Sequence, residues 1–303
     1  MIIRHVLEQI GHRSRRGLVF AAGGSADIIL AKTIAAGLVS QGCSQVDLAQ
    51  PLNCRVLSEK GLLVDVGRLH ALEPEDGLDP ESVLRHYASI PSERHADHRR
   101  GKGLRISSSL EWDHGSRYVF AAHGVGPSSL AGRRDGDAPY YDFAVGVDGG
   151  GDVLTHGDDE FDRVVVAGFR SGWSSARPLL LVAMGLGADG GSAPAEFGDV
   201  SLTGWRQVGN TEVESAFADS LHRELERLGL WNGSPATWTS DDPYWGYGFK
   251  VPQIIALAVR NEFPFEAPDD QPDLVLFPRR RELKLMNKRL LREARLFLSE
   301  VNR

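Results

Sequence analysis

Three short glycine loops, each carrying an aspartate and each placed directly after an apolar run, constrain this chain more than any other feature. They are Ala22-Gly-Gly-Ser-Ala-Asp27, Asp148-Gly-Gly-Gly-Asp152 and Gly187-Ala-Asp-Gly-Gly191. Glycine at the end of a strand lets backbone approach a ligand or another chain segment closely, and in open α/β sheets ligands sit outside the carboxyl ends of the strands. Three such loops from one sheet can converge. The acids Asp27, Asp148, Asp152 and Asp189 separate them from phosphate cradles and point toward a cation, an amine or a hydroxyl.

The apolar runs supply the strands. Gly17 to Ala22 reads as a buried strand. A helix follows from about Asp27 to Val39, with Ile28, Ile29, Ala31 and Ile34 to pack, and Gly42 closes it. Val46 to Ala49 is a second strand and Leu62 to Val66 a third, an opening that favours a parallel sheet. Further strands are expected at Arg117 to Ala122, Phe143 to Val147, Leu179 to Met184 and Leu274 to Phe277. Between the second and third loops, Phe161 to Phe169 has strand propensity in Val164 to Val166, but a crossover between parallel strands requires a helix, and helix is the reading taken. Thr211 to Leu228 is an amphipathic helix, Val251 to Val259 a buried segment, and residues 281 to 301 a final helix with Leu283, Met286, Leu290, Ala294 and Phe297 along one face. The expected architecture is a single α/β domain over residues 1–303, Rossmann-like and three-layered, with a mostly parallel sheet, a C-terminal helix and a polar surface excursion near 73–102.

Composition narrows the function classes. A chain of 303 residues, 42% hydrophobic and 25% charged, can bury a large core. Its net charge of −7 argues against a nucleic-acid partner. The two cysteines, Cys43 and Cys54, are too few for a disulfide scaffold and suit a reducing, cytoplasmic setting. No apolar stretch reaches the length of a membrane span, and no signal peptide is read.

Each loop has a structural and a functional reading. In the first, the dinucleotide pattern Gly-x-Gly-x-x-Gly lacks its third glycine. There Gly23 and Gly24 can present backbone to a ligand, while Asp27 can serve as a helix cap. In the second, Asp148 and Asp152 flank Gly149, Gly150 and Gly151 and are the candidate ligands of Mg2+ or another divalent metal, or of an ammonium or guanidinium group. The stretch superficially resembles the loop by which methyltransferases hold S-adenosylmethionine, but that pattern has a glycine where Asp152 stands and follows the first strand. In the third, Asp189-Gly190 is either a turn or a ligand contact. Glu160 and His123, the latter at a strand end in Ala121-Ala122-His123-Gly124, are candidate proton carriers. The aromatic run Trp238 to Phe249, Lys250 and Arg279 to Arg281 are secondary candidates, and His114 is weaker. No Gly-x-Ser-x-Gly supports a serine hydrolase.

At these loops the chain resembles an uncharacterised family of bacterial and archaeal proteins, domain-of-unknown-function family 1152. The likeness rests on the first glycine loop, on Val147-Asp148-Gly149-Gly150-Gly151-Asp152 with Gly157 and Glu160 behind it, and on Gly185-Leu-Gly-Ala-Asp-Gly190, over roughly residues 17 to 230. That family carries more glycine where Ser25 and Ala26 stand. The resemblance implies an α/β fold and a shared pocket, and no reaction. Together the residues suggest an enzyme of hydrolytic or group-transfer type acting on a small polar metabolite, with Asp148 and Asp152 holding a metal or cationic group. Catalysis would fall to Asp148, Asp152, His123 and Glu160. The alternatives are a non-catalytic nucleotide or metabolite binder and, behind it, an S-adenosylmethionine-dependent methyltransferase. The expected partner is the metabolite, with neither nucleic acid nor membrane, and the last helix offers a homodimer surface.

Overall fold

The computed structural model describes residues 2–11, 16–23, 26–51, 55–57, 63–65, 114, 117–120, 141–155, 160–173, 177–190, 197, 202–228, 231, 249–266, 269–279 and 282–300. Within them the central sheet is built from β1 (Arg16–Ala21), β2 (Gln45–Pro51), β5 (Arg117–Phe120), β6 (Phe143–Gly149), β7 (Leu179–Met184), β8 (Trp205–Glu212) and β12 (Glu293–Ser299). Their spatial order is β5-β2-β1-β6-β7-β12-β8. The pairs β5–β2, β2–β1, β1–β6 and β6–β7 are parallel, whereas β12 runs antiparallel to both β7 and β8. Six strands therefore point one way and one is reversed. From β1 the chain first winds outward through β2 and β5, then returns to the other side of β1 as β6. The switch point of this doubly wound sheet lies between β1 and β6, where such sheets open a crevice at their carboxyl edge.

Alternation along the strands assigns the two faces. Val19 and Ala21 of β1 join Val145, Val147, Val182 and Leu296 on the face covered by α1 (Ile2–Ile10), α2 (Ala26–Ser40), α4 (Ser215–Arg227) and α5 (Val251–Arg260). Leu18 and Phe20 face the other way, onto α3 (Glu160–Gly172), where Phe20 stacks on Phe169 with ring centroids 3.5 Å apart. A sheet apolar on both faces must be covered on both, so the architecture is the expected three-layer α/β fold. Helix α2 is itself buried on nearly all sides, with Ile28, Ile29, Leu30, Ala31, Ile34, Ala35 and Leu38 all in the core, because α1 and α4 cover the side the sheet does not.

Several local expectations need correction. The helix expected over residues 281 to 301 is instead β11 (Glu282–Asn287), a short α6 (Lys288–Leu291) and β12. The spacing of its apolar residues also fits period two: Ala294 and Leu296 enter one core, Phe297 the other. The open edge of β7 then selects strand over helix. The segment Leu62 to Val66 contributes β4 (Leu63–Asp65), which pairs antiparallel with β3 (Arg55–Leu57) rather than joining the central sheet. The helix expected from Thr211 begins at Ser215, the residues before it completing β8. Val251 to Val259 is helical, with Pro252 in the first turn and Asn261 closing the end at φ 59°. Leu274 to Phe277 lies in β10 (Leu274–Arg279), the centre of a small antiparallel sheet between β11 and β9 (Phe265–Glu266). The helical reading of Phe161 to Phe169 holds, as α3. The excursion near 73–102 lies outside the described residues.

Candidate functional site

All three glycine loops leave the carboxyl ends of neighbouring parallel strands, the first after β1, the second after β6 and the third after β7. Backbone bonds tie the last two together: Gly150 donates to the Met184 carbonyl over 3.0 Å, and Gly187 donates to the Gly150 carbonyl over 2.7 Å. Gly150 and Gly151 have φ of 105° and 90°, a left-handed turn that L residues rarely adopt, and it folds Asp152 back into a single 3-10 turn (Asp152–Leu154). Phe197 packs against Gly151.

The aspartates gather where these loops meet. Asp27 lies in the first turn of α2 and Asp162 in the first turn of α3, both at helix starts that favour negative charge. Asp148 is the last side chain of β6 before its glycines. Carboxylate oxygens of Asp27, Asp148 and Asp162 all lie within 4.8 Å of one another. Asp27 does more than cap a helix: its Oδ1 accepts from the Gly149 amide across the switch point over 3.0 Å. Asp162 was not among the residues singled out from the sequence. Its signal was there, since a crossover helix after the second loop must begin beside that loop.

The glycines make room for these acids. A Cβ at Gly23 would overlap Asp27 Oδ2 and lie 2.6 Å from Asp162 Oδ1. One at Gly149 would lie 3.0 Å from Asp27 Oδ1. The first loop therefore presents carboxylates where a dinucleotide fold would present amides to pyrophosphate, and like charges repel.

Burial makes the charge expensive. Asp148 is 0% exposed, Asp27 4% and Asp162 8%. Neither Asp148 oxygen has a hydrogen-bond partner of normal geometry. Burial, then the charges of Asp27, Asp162 and Asp189, pushes the Asp148 carboxyl well above the usual range, and the nearby Val153 amide offsets this only in part. Asp27 is pushed up by burial, then by Asp162 and Asp152, against the pull of the Gly149 and Gly23 amides. Asp152 is pushed up to about 10 by burial, then by its hydrogen bond with Asp189 and by the charges of Asp189, Asp148 and Asp162. The hydrogen bond joins the carboxyl groups of Asp152 and Asp189. Five carboxyl groups share one small volume, and they require either protons or a counter-charge.

Other candidates fall elsewhere. Gly190 stays with the third loop, its Cα packed under the Lys284 side chain. Glu160 is the first residue of α3, two positions before Asp162. Gly24, His123 and residues 238–248 of the aromatic run lie outside the described residues. Phe249 packs edge-on against Phe277 beneath the small sheet. His114 is exposed, and its carbonyl meets the Val46 amide near the start of β2, at the edge of the sheet opposite the carboxylates. Arg279 is the last residue of β10. No helix among the described residues is long and apolar enough to cross a membrane.

No protein-family model matches the chain, and none of the curated proteins matches it. Among solved structures it is similar to the A40926 pseudoaglycone deacetylase Dbv21, at 11% identity over 96% of this chain and 99% of that one, with a TM-score of 0.44. It is similar to the glycopeptide N-methyltransferase MtfA, at 14% identity over 75% and 78% of the two chains, with a TM-score of 0.26. The rRNA methyltransferase aviRa from Streptomyces viridochromogenes gives 13% identity over 70% and 78%, with a TM-score of 0.32. Similarity this distant carries nothing over about what this chain binds or does.

Proposed function

We propose that the carboxyl edge between β1, β6 and β7 is the active site of an enzyme of hydrolase or transferase type, acting on a small polar metabolite. The observation that carries this reading is the convergence of Asp27, Asp148, Asp152 and Asp189 from the three loops, and of Asp162 from the start of α3, onto the switch point, with Asp148 wholly buried. Burying that much negative charge costs stability, and a fold keeps such a cost where a ligand offsets it. The cluster takes positive charge, as a metal ion or as a cationic group of the substrate, and thereby fixes the substrate's position. The Asp152–Asp189 pair, joined through one proton, then supplies or accepts the proton that bond cleavage or transfer requires. The same acidic loops carry the resemblance to family 1152, which we keep as part of this proposal.

A thermal-shift screen of divalent metals, amino-acid-like metabolites, nucleotides and S-adenosylmethionine tests it, because a ligand at 100 times its dissociation constant adds about 2.7 kcal/mol to stability. Ligands that shift wild type should fail to shift Asp148→Asn. With a turned-over substrate in hand, Asp152→Asn should keep binding and lose turnover by about 100-fold or more. Full turnover by Asp152→Asn would remove the proton role. A ligand that binds at the cluster and is never converted would favour the non-catalytic binder instead.

A further inference from the structure

We infer that Asp27, Asp148 and Asp162 form the binding site of one small divalent metal ion, of the Mg2+ or Mn2+ class, with Asp162 as a ligand that completes the set. This sharpens the preceding reading, which requires only positive charge at the cluster. Three observations support it. The three carboxylates each offer an oxygen within 4.8 Å of the others, and two oxygens on opposite sides of a Mg2+ ion stand about 4.2 Å apart. The Asp148 carboxylate is 0% exposed and both its oxygens lack a hydrogen-bond partner, so the group of the three with the greatest need for a partner faces the other two. The backbone of Gly23 lies against the Asp27 and Asp162 carboxylates and that of Gly149 against Asp27, so a side chain at either position would crowd the carboxylates that the ion needs.

The ligand set is also held in place before any ion arrives. Asp27 is fixed by the Gly149 amide, and Asp148 by its place in the β6 ladder between β1 and β7. Asp162 is carried on a thirteen-residue helix packed on the sheet through Val165 and Phe169. Oxygen-only ligands, hard and anionic, select Mg2+ and Mn2+ over softer metals that prefer nitrogen or sulfur.

The test uses the full chain, stripped with EDTA and dialysed. Titration calorimetry with MnCl2 and MgCl2, backed by the electron paramagnetic resonance signal of free Mn2+, should show one Mn2+ bound per chain. Asp162→Asn and Asp148→Asn should each weaken Mn2+ binding at least tenfold. The surface variant Glu226→Gln should leave binding unchanged. Circular dichroism and the apo melting temperature establish that the variants fold, and neither should melt below wild-type apo protein, since each removes a buried acid. Absence of Mn2+ and Mg2+ binding to wild type would overturn the inference, as would Mn2+ binding that survives Asp162→Asn unchanged. A metabolite that binds or turns over fully in EDTA would also overturn the metal site while leaving the wider proposal standing.

Discussion

Helix α2 joins two acidic neighbourhoods that treat charge in opposite ways. At its start, Asp27 meets the carboxylates of Asp148 and Asp162. Little more than one turn later, Lys32 forms a 2.9 Å ion pair with Glu224 of α4, their side chains only 12% and 13% exposed, and Arg227 closes on the same carboxylate over 2.7 Å. Burial opposes ionisation of Glu224, yet hydrogen bonds from Arg227 and Lys32, with their charges, hold its carboxyl below the ordinary range. Asp27, a more deeply buried acid on the same face of the sheet, is pushed the other way. The difference teaches that partner supply decides the cost of a buried acid. At Glu224 the fold supplies two cations to one carboxylate, whereas at the switch point it sets carboxylates against one another.

The largest expected effect comes from removing the structural cation. Lys32→Met should lower unfolding free energy by about 2–3 kcal/mol in urea titrations, because it leaves a buried carboxylate with one partner. A neutral result would erase the contrast. At the other end, Asp148→Asn should raise the stability of EDTA-treated protein by about 1–3 kcal/mol, since it removes a buried acid whose oxygens have no partner. Destabilisation of similar size would mean that the acid is structural.

The pH dependence separates the two neighbourhoods by sign. Asp27, Asp148 and Asp152 have raised folded-state values, so their contribution is fully present below the unfolded carboxylate range near 4. It is lost as pH rises toward the folded value, which for Asp152 is about 10. Glu224 is depressed, so its contribution is present above its unfolded value and lost as pH falls below about 4. Melting temperatures of EDTA-treated protein between pH 5 and 9 should therefore fall by an amount equivalent to about 1 kcal/mol per pH unit for each of the raised groups, and Asp148→Asn should make the slope shallower. A wild-type profile that climbs across that range would break the assignment. The smallest effect is expected from Arg227→Ala, about 0.5 kcal/mol by the same titration, because its side chain is 34% exposed and water screens the pair.

Much of this arrangement could be read from residues in sequence, and the parts that could not share one cause. The unit β1, first loop, α2, β2 is legible because an apolar run, a glycine break and a second apolar run are local signals. The same holds for β6 and β7 with their loops, and Asp27, Asp148, Asp152 and Asp189 all lie where those loops converge. Asp162 was missed because the start of α3 depended on deciding between helix and strand for Val164 to Val166, and that decision belongs to the sheet, which needs a crossover there. The reading of residues 281 to 301 failed for the same kind of reason. Leu290, Ala294 and Phe297 stand at helical spacing, but β7 presents unpaired backbone on one side, and Arg295 finds Glu293 and the Phe197 carbonyl on one face of a strand. Partners far away in sequence outweighed local periodicity.

The insertion of β12 between β7 and β8 sets the order in which this molecule can assemble. During synthesis β8 emerges long before the strand that must separate it from β7, so neither can reach its final neighbour, and direct pairing between them would be a trap. The exposed β7 edge is then a template for other chains until β12 arrives, which places the risk of aggregation in the interval between the two strands. Pairing over so long a separation also carries a larger loop-closure cost than the local β1–β2 pairing does.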